Sequence, residues 1–161
     1  AKIIVSDPNE SRLMKARECG ADVIVNPDRA DLRQVVMDET RGNGADIVIT
    51  ACPVPEVQQQ ALELAAVQGR VNFFGGLPQG NDLARLQTNL IHYRQIKVTG
   101  TTGASAAQFR KALKIIASGR IDVMKVVSHR VGLSELPAIF EEASRGNGQY
   151  FKVLVMPNGE A

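Results

Sequence analysis

An aspartate directly after an apolar strand is the residue whose type and place most clearly suggest a ligand site. Asp7 follows the apolar run at residues 2–6 and precedes Pro8, Asn9 and a helical segment. In open α/β sheets, ligands bind outside the carboxyl ends of the strands. A carboxylate at that edge can accept hydrogen bonds from ribose hydroxyls and repel an additional phosphate. The alternative interpretation is a partner for the amino-terminal end of the following helix.

The two histidines and two cysteines are the other residues with reactive side chains. Histidine is the usual proton shuttle near neutral pH, but we expect His92 to pack in a loop or short helix and His129 to lie in a strand, neither of them catalytic. Cys19 and Cys52 are far apart and lack the paired spacing of zinc sites and disulfide scaffolds. The sequence therefore predicts two free thiols, a reducing compartment and a cytoplasmic protein.

The composition is that of a soluble globular protein. Hydrophobic residues make up 44% of the 161 residues and charged residues 22%. No apolar run approaches the roughly 20 residues that a bilayer requires. The 19 basic and 17 acidic residues are dispersed along the chain, which argues against a nucleic-acid partner.

Short β-branched runs alternate with segments of helical periodicity. This alternation predicts an α/β fold with a parallel sheet built from repeated βαβ units. The predicted strands are residues 2–6, 23–26, 46–51, 70–74 and 97–99. Helices are expected to begin at three capping patterns, which are Asp31 with Gln34, Pro55 with Glu56, and Ser105 with Gln108. The segment 42–44 is expected to be a tight turn.

The predicted helix 106–118 has one apolar face, formed by Phe109, Leu113 and Ile116, and Gly119 stands where its carboxyl end is expected. We expect that face to pack against the sheet.

From about residue 122 the pattern changes to a strand at 126–131, a helix capped by Ser134, and a strand at 151–156. The inward side chains of that helix are expected to be Leu136, Ile139, Phe140 and Ala143. Residues 146–148 are expected to form a second turn.

Several blocks, in this order and spacing, resemble the nucleotide-binding half of medium-chain zinc-dependent dehydrogenases, in the branch of sorbitol, threonine and polyol dehydrogenases. The blocks are KIIVSDPNESRLMKARECGAD at 2–22, GNGADIVITA at 42–51, GRVNFFGG at 69–76, VSHRVGLSELPAIFEEA at 127–143 and FKVLVMP at 151–157. The resemblance implies a Rossmann-type doubly wound parallel sheet at 1–122, without its first strand and glycine-rich loop. It also implies that residues 123–161 are a strand-helix-strand segment that returns to a catalytic domain.

The resemblance also implies which residues bind a cofactor. Asp7 matches the family's ribose-binding acid, and Arg12 matches the basic residue beside the ribose. Lys152 matches a basic residue that reaches the pyrophosphate, although a solvated charge at a strand end is the alternative. The glycines among the remaining positions have equally good interpretations as turn residues. Positions expected to line the nicotinamide pocket, mostly by backbone and apolar contact, are Ala51, Cys52, Phe74, Gly75, Gly76, Leu77, Gly100, Thr101 and Thr102.

Two features of the family are missing from the chain. Its G-x-G-x-x-G turn belongs about 20 residues before the ribose-binding acid, which would place it before Ala1, and the segment 75–80 has the wrong spacing. The cysteine, histidine and glutamate ligands of zinc belong to the family's other domain. We therefore predict neither a metal ligand nor a catalytic residue in this chain.

The resulting functional expectation is the NAD-binding portion of a zinc-dependent dehydrogenase that oxidises a secondary alcohol or polyol, with the chain inactive by itself. The resemblance further implies a homo-oligomer. Two alternatives stay open. One is a zinc-free quinone oxidoreductase, although Asp7 argues against that branch's NADP preference. The other is a nucleotide-binding module without catalytic activity.

Overall fold

The computed structural model describes residues 1–145 and 150–159, so the turn predicted at 146–148 lies outside the described residues. The chain divides into two compact units. The terminal unit comprises Ala1–Ala30 and Ser105–Ala161, and the central unit comprises Asp31–Ala104. The domain boundary expected at residue 122 stays a prediction.

The first part of the terminal unit is a βαβ element. Strand β1 (Ile4–Ser6) leads into helix α1 (Glu10–Glu18) and returns to strand β2 (Val23–Val25). The two strands pair in parallel along all three residues. Asn9 caps α1 by accepting a hydrogen bond from the backbone of the first helical turn, and Leu13 is buried.

The central unit contains a three-stranded parallel sheet in the order β3-β4-β5. Its elements are α2 (Leu32–Glu39), β3 (Ala45–Thr50), α3 (Pro55–Leu64), β4 (Ala65–Phe73), α4 (Thr88–Arg94) and β5 (Lys97–Gly100). Among the described residues of each unit, β3 pairs with β4 and β1 pairs with β2.

The core of the central unit lies between α3 and one face of the sheet. Val48, Val71 and Val98 lie side by side in register on that face, and Val71 and Leu62 are completely buried. The core cluster is Ala61, Leu62, Ala65, Val71 and Ile96. The other face of β3 is open, because Ile47 and Ile49 are about 60% exposed (60% and 61%).

The second part of the terminal unit contains α5 (Ala106–Ala117), β6 (Val127–Gly132), α6 (Leu136–Ser144) and β7 (Lys152–Met156). Strands β6 and β7 pair in parallel, so the predicted strand-helix-strand tail is present.

Much of the local structure is as the sequence predicts. The predicted strands form, with shifted ends, and all observed strand pairs are parallel. Ser105 and Gln108 form a reciprocal capping box at the start of α5. Gly119 follows that helix with a φ of +71°. Gly42 and Gly44 both have positive φ in the turn before β3, as tight turns require.

The prediction that the apolar face of α5 packs against the sheet is wrong for the described residues. Phe109 is 62% exposed, Leu113 50% and Ile116 37%. The helix is amphipathic, but no described element of the terminal unit covers its apolar face. The spacing of apolar residues shows that a helix has an apolar face. Whether that face is buried depends on a partner surface.

Four further local predictions are wrong. Ser134 lies in a short 3-10 turn before α6, where the Glu135 carboxylate accepts a hydrogen bond from the Gly132 N–H. Phe140 is 67% exposed rather than inward. The Gln34 amide donates to Asp38 instead of reaching back to complete a capping box with its helix cap. Strand β4 begins at Ala65 rather than at residue 70, because a register shift lets its first residues pair with the start of β3.

A matched pair of leucine truncations tests this account of the core. Leu62→Ala should lower the free energy of unfolding by about 2–5 kcal/mol, because it removes a fully buried side chain. Leu113→Ala, in the exposed face of α5, should change it by less than about 1 kcal/mol. Urea denaturation of both variants measures the difference. Equal losses would show that the α5 face is as buried as the core.

Candidate functional site

The loops after β3 and β4 are joined by backbone hydrogen bonds. The carbonyl of Thr50, the last residue of β3, accepts bonds from the N–H groups of Phe74 at 3.0 Å and Gly75 at 2.7 Å. Thr50 is buried, and its hydroxyl makes no hydrogen bond within the described residues. It is therefore the Thr50 main chain that fixes the start of the second loop against the end of β3.

Gly75 lies so close to the first loop that a side chain would not fit. A Cβ atom at Gly75 would lie 2.7 Å from the Cys52 nitrogen and 2.9 Å from the Ala51 carbonyl carbon, both main-chain atoms. Gln58, a buried residue of α3, also contacts this loop. Its side-chain amide donates a hydrogen bond to the Gly75 carbonyl at 3.4 Å. The two loops therefore form one surface made of main chain.

The end of β5 extends the same surface. The Thr101 N–H donates to the Phe73 carbonyl at 3.3 Å, and the Thr101 hydroxyl bonds to the Asn72 side chain at 3.2 Å. Nine predicted pocket residues thus lie at the carboxyl edge of the central sheet. They are Ala51, Cys52, Phe74, Gly75, Gly76, Leu77, Gly100, Thr101 and Thr102. All but the half-buried Cys52, Gly75 and Leu77 are exposed.

The predicted ribose-binding pair lies at the carboxyl end of β1 in the terminal unit. The Asp7 N–H bonds to the Val25 carbonyl at 3.2 Å and so continues the β1-β2 ladder. One carboxylate oxygen of Asp7 accepts the Asn9 N–H at 2.8 Å. The other lies 3.8 Å from the Arg12 guanidinium. The structure therefore brings Asp7 and Arg12 together, with one carboxylate oxygen left for a ligand.

Lys152 is not joined to this pair. It is the exposed first residue of β7 and aligns with Val127 of β6. No hydrogen bond or ion pair among the described residues links it to Asp7 or Arg12. Its role at the pyrophosphate stays a prediction.

The two histidines each pack against a tyrosine ring, and neither cysteine forms a disulfide. His92 packs edge-on against Tyr93 in α4, and His129 in β6 bonds to Ser128 at 3.0 Å and packs on Tyr150. Cys19 and Cys52 are free thiols. Within residues 1–145 and 150–159, no group of three or more His, Cys, Asp and Glu side chains could hold a metal ion.

A cavity of about 250 Å³ in the central unit lies away from the predicted pocket. Its lining residues precede β3, begin β4 or end α4, and so mark the amino ends of the strands; they are Arg33, Met37, Gly42, Asn43, Ala65, Val67 and Arg94. Arg94 is already engaged there, because it donates to the Glu63 and Ala65 carbonyls at the end of α3. This cavity contains none of the predicted site residues.

Sequence reasoning missed Asn26, which immediately follows β2. Its amide bonds to the Pro8 carbonyl at 3.2 Å and to the Glu10 carboxylate at 2.7 Å, so it bridges to the loop that carries Asp7. The signal in the sequence was an amide side chain between a strand and Pro27, at the same sheet edge as Asp7. The sequence pattern places Asn26 at the end of the predicted strand 23–26, which gives no sign of its contacts with the loop.

The family model described as zinc-binding dehydrogenase matches residues 1–118 of the chain. Among curated proteins, the chain is similar to L-threonine 3-dehydrogenase from Pyrococcus furiosus. The two are 30% identical over 141 residues, which cover 86% of this chain and 40% of the relative.

Solved structures show the same likeness. The 2R,3R-butanediol dehydrogenase from Bacillus subtilis superposes with a TM-score of 0.85 at 26% identity, covering 98% of this chain and 44% of that one. A protein from Sinorhizobium meliloti, described as a zinc-binding dehydrogenase bound to NADP, gives a TM-score of 0.86 at 28% identity. This superposition covers 98% of this chain and 45% of the Sinorhizobium meliloti protein. The chain thus spans less than half the length of these relatives.

No helix in the described part of the chain is both long and apolar enough to cross a membrane.

Two neighbouring glycines offer a test of the main-chain surface. Gly75→Ala should destabilise the protein by about 1–3 kcal/mol, because its Cβ would meet main-chain atoms that cannot rotate away. Gly76→Ala is the control, since nothing lies within 4 Å of a Cβ there and its φ is not in the left-handed region. It should leave stability unchanged within about 1 kcal/mol. Thermal denaturation compares the two, and equal melting temperatures would rule out the close contact of the loops.

Proposed function

The chain belongs to the zinc-binding dehydrogenase family, and we propose that it is the nucleotide-binding portion of an enzyme that oxidises a secondary alcohol or polyol with NAD. The carboxylate of Asp7 carries the proposal. It lies at the carboxyl end of a parallel strand, where nucleotides bind in such sheets, and its second oxygen is not used by the main chain.

The residues of the terminal unit fit the ribose of a nucleotide cofactor. A carboxylate that keeps one acceptor oxygen can receive hydrogen bonds from ribose hydroxyls. The same negative charge would oppose a phosphate on the 2′ hydroxyl, which favours NAD over NADP. The Arg12 guanidinium lies 3.8 Å from the second carboxylate oxygen of Asp7 and places a positive charge beside it.

The carboxyl edge of the central sheet fits a flat ring. The main chain allows close approach at Gly75, where the contact with Cys52 leaves no room for a side chain, and the exposed Phe74 beside it offers an apolar surface. When bound, NAD supplies the hydride acceptor. In this proposal the described residues orient that cofactor and take no part in proton transfer.

Zinc is a different case, because the described residues contain no cluster that fits a metal ion. We propose that a zinc ion of the intact enzyme takes its ligands from residues outside this chain. No step performed by this chain depends on it.

The names of two relatives support the proposed substrate class. L-threonine and 2R,3R-butanediol both carry a hydroxyl on a secondary carbon. We further propose a homo-oligomeric, cytoplasmic enzyme, because the family resemblance favours self-association and the cysteines are free.

Replacing the ribose-binding acid tests the cofactor assignment. In the protein expressed from the complete gene, NAD should be preferred over NADP, and Asp7→Ala should narrow that preference by about 1–3 kcal/mol. Asp46→Ala is the charge-matched control, because Asp46 is exposed near the amino end of β3. Steady-state kinetics with both cofactors gives the ratio of kcat/KM for NAD to kcat/KM for NADP, for the wild type and for each variant. A wild-type preference for NADP would contradict the assignment.

The isolated chain gives a second test. Residues 1–161 contain no G-x-G-x-x-G turn, whose helix amino terminus binds the pyrophosphate in dinucleotide folds. We therefore expect weak NADH binding and no alcohol oxidation from the purified chain. Titration calorimetry and an alcohol-dependent NADH assay measure both. A monomer with a dissociation constant in the low micromolar range, about −8 kcal/mol, would refute this expectation.

A further inference from the structure

We propose that Asn26 is a positioning residue that orients the Asp7 carboxylate toward the cofactor ribose and so sets the preference for NAD. This inference rests on the proposed function of Asp7. It assigns a role to a residue that would not itself contact the cofactor.

The Asn26 side chain makes three hydrogen bonds among the described residues. Its oxygen accepts the Asp28 N–H at 3.0 Å, which holds the amide in one orientation. Its nitrogen then faces the β1-α1 loop and donates to the Pro8 carbonyl and the Glu10 carboxylate. An amide has two N–H donors and one carbonyl acceptor. No other side chain of this size offers the same set.

The bond to Pro8 acts directly on the geometry of Asp7. Pro8 lies between Asp7, whose main chain is held by the β2 ladder, and Asn9, whose N–H holds one carboxylate oxygen of Asp7. Movement of the Pro8 peptide would shift the Asn9 N–H and with it the carboxylate. Asn26 therefore ties the middle of this loop to the end of β2, beyond the main-chain bond of Asp7 to Val25.

The neighbouring ion pair does not perform this task. Arg29 lies 3.0 Å from the Glu10 carboxylate, but both side chains are at least half exposed, at 73% and 50%. Exposed pairs of this kind contribute little to stability. Arg29 makes no hydrogen bond to Pro8 among the described residues. Replacing Arg29 therefore removes the ion pair with Glu10 and leaves the bond from Asn26 to Pro8 in place.

The test is a double-mutant cycle in the protein expressed from the complete gene. Four proteins are compared: wild type, Asn26→Ala, Asp7→Ala and the double variant. Asn26→Ala should raise the KM for NAD and lower the NAD to NADP ratio of kcat/KM by about threefold to tenfold, with kcat changed less than about twofold. In the Asp7→Ala background, the same substitution should change the ratio less than about twofold.

Three further variants act as controls. Arg29→Gln removes the exposed ion pair, and Asn43→Ala removes a comparable amide bond, to the Thr40 carbonyl at 3.0 Å, in the central unit. Both should leave the cofactor ratio unchanged. Asn26→Ser shortens the side chain without adding a charge beside Glu10, so it should reproduce the effect if Asn26→Ala does not fold.

The possible outcomes separate the two proposals. If Asp7→Ala changes the ratio and Asn26→Ala does not, or if Asn26→Ala has the same effect in both backgrounds, Asn26 only stabilises the fold and the positioning role is refuted. If Asp7→Ala itself leaves the ratio unchanged, the ribose assignment fails and the positioning role fails with it.

Discussion

Parallel pairing of the strands is the constraint on which the candidate site depends. When neighbouring strands run in the same direction, their carboxyl ends meet at one edge, and the loops that follow them meet there too. In the central unit this places the segments after Thr50, Phe73 and Gly100 side by side. The buried contacts of Leu62 and Val71 hold the pairing in place. The site is thus a consequence of strand direction and core packing.

The residues at this edge act through position more than through reactivity. The two loops of the central unit are joined by the Thr50 carbonyl and by the close approach of Gly75 to Cys52. In the terminal unit, Asn26 and Asn9 hold the loop around Asp7 through main-chain groups. Such an arrangement suits the binding and orientation of a cofactor that brings its own chemistry. It also explains why reactive side chains were poor guides to function in this chain.

The wrong predictions share a physical cause. The apolar face of α5 was recognised correctly as a pattern, but Phe109 and Leu113 are exposed because no described element of their unit covers them. Ser134 has a side chain suited to a helix cap, yet it lies in a 3-10 turn, and α6 begins after Glu135 without a side-chain cap hydrogen bond. In each case the side chain had a local preference, for burial or for capping, and the neighbouring residues in the fold decided whether it found a partner.

Local order in the sequence was enough to determine the class of fold, the order of its elements, the Ser105 cap and the Gly119 end of α5, and the place of Asp7 at a strand end. These features depend on side-chain period, capping chemistry and turn conformation, all of which act over a few residues. The tertiary structure alone decided that Asn26 reaches the loop beside Asp7 and that Gly75 leaves no room for a side chain. Both facts depend on contacts between segments 18 residues apart (Asn26 and Pro8) and 23 residues apart (Gly75 and Cys52), and such contacts are set by strand register and packing.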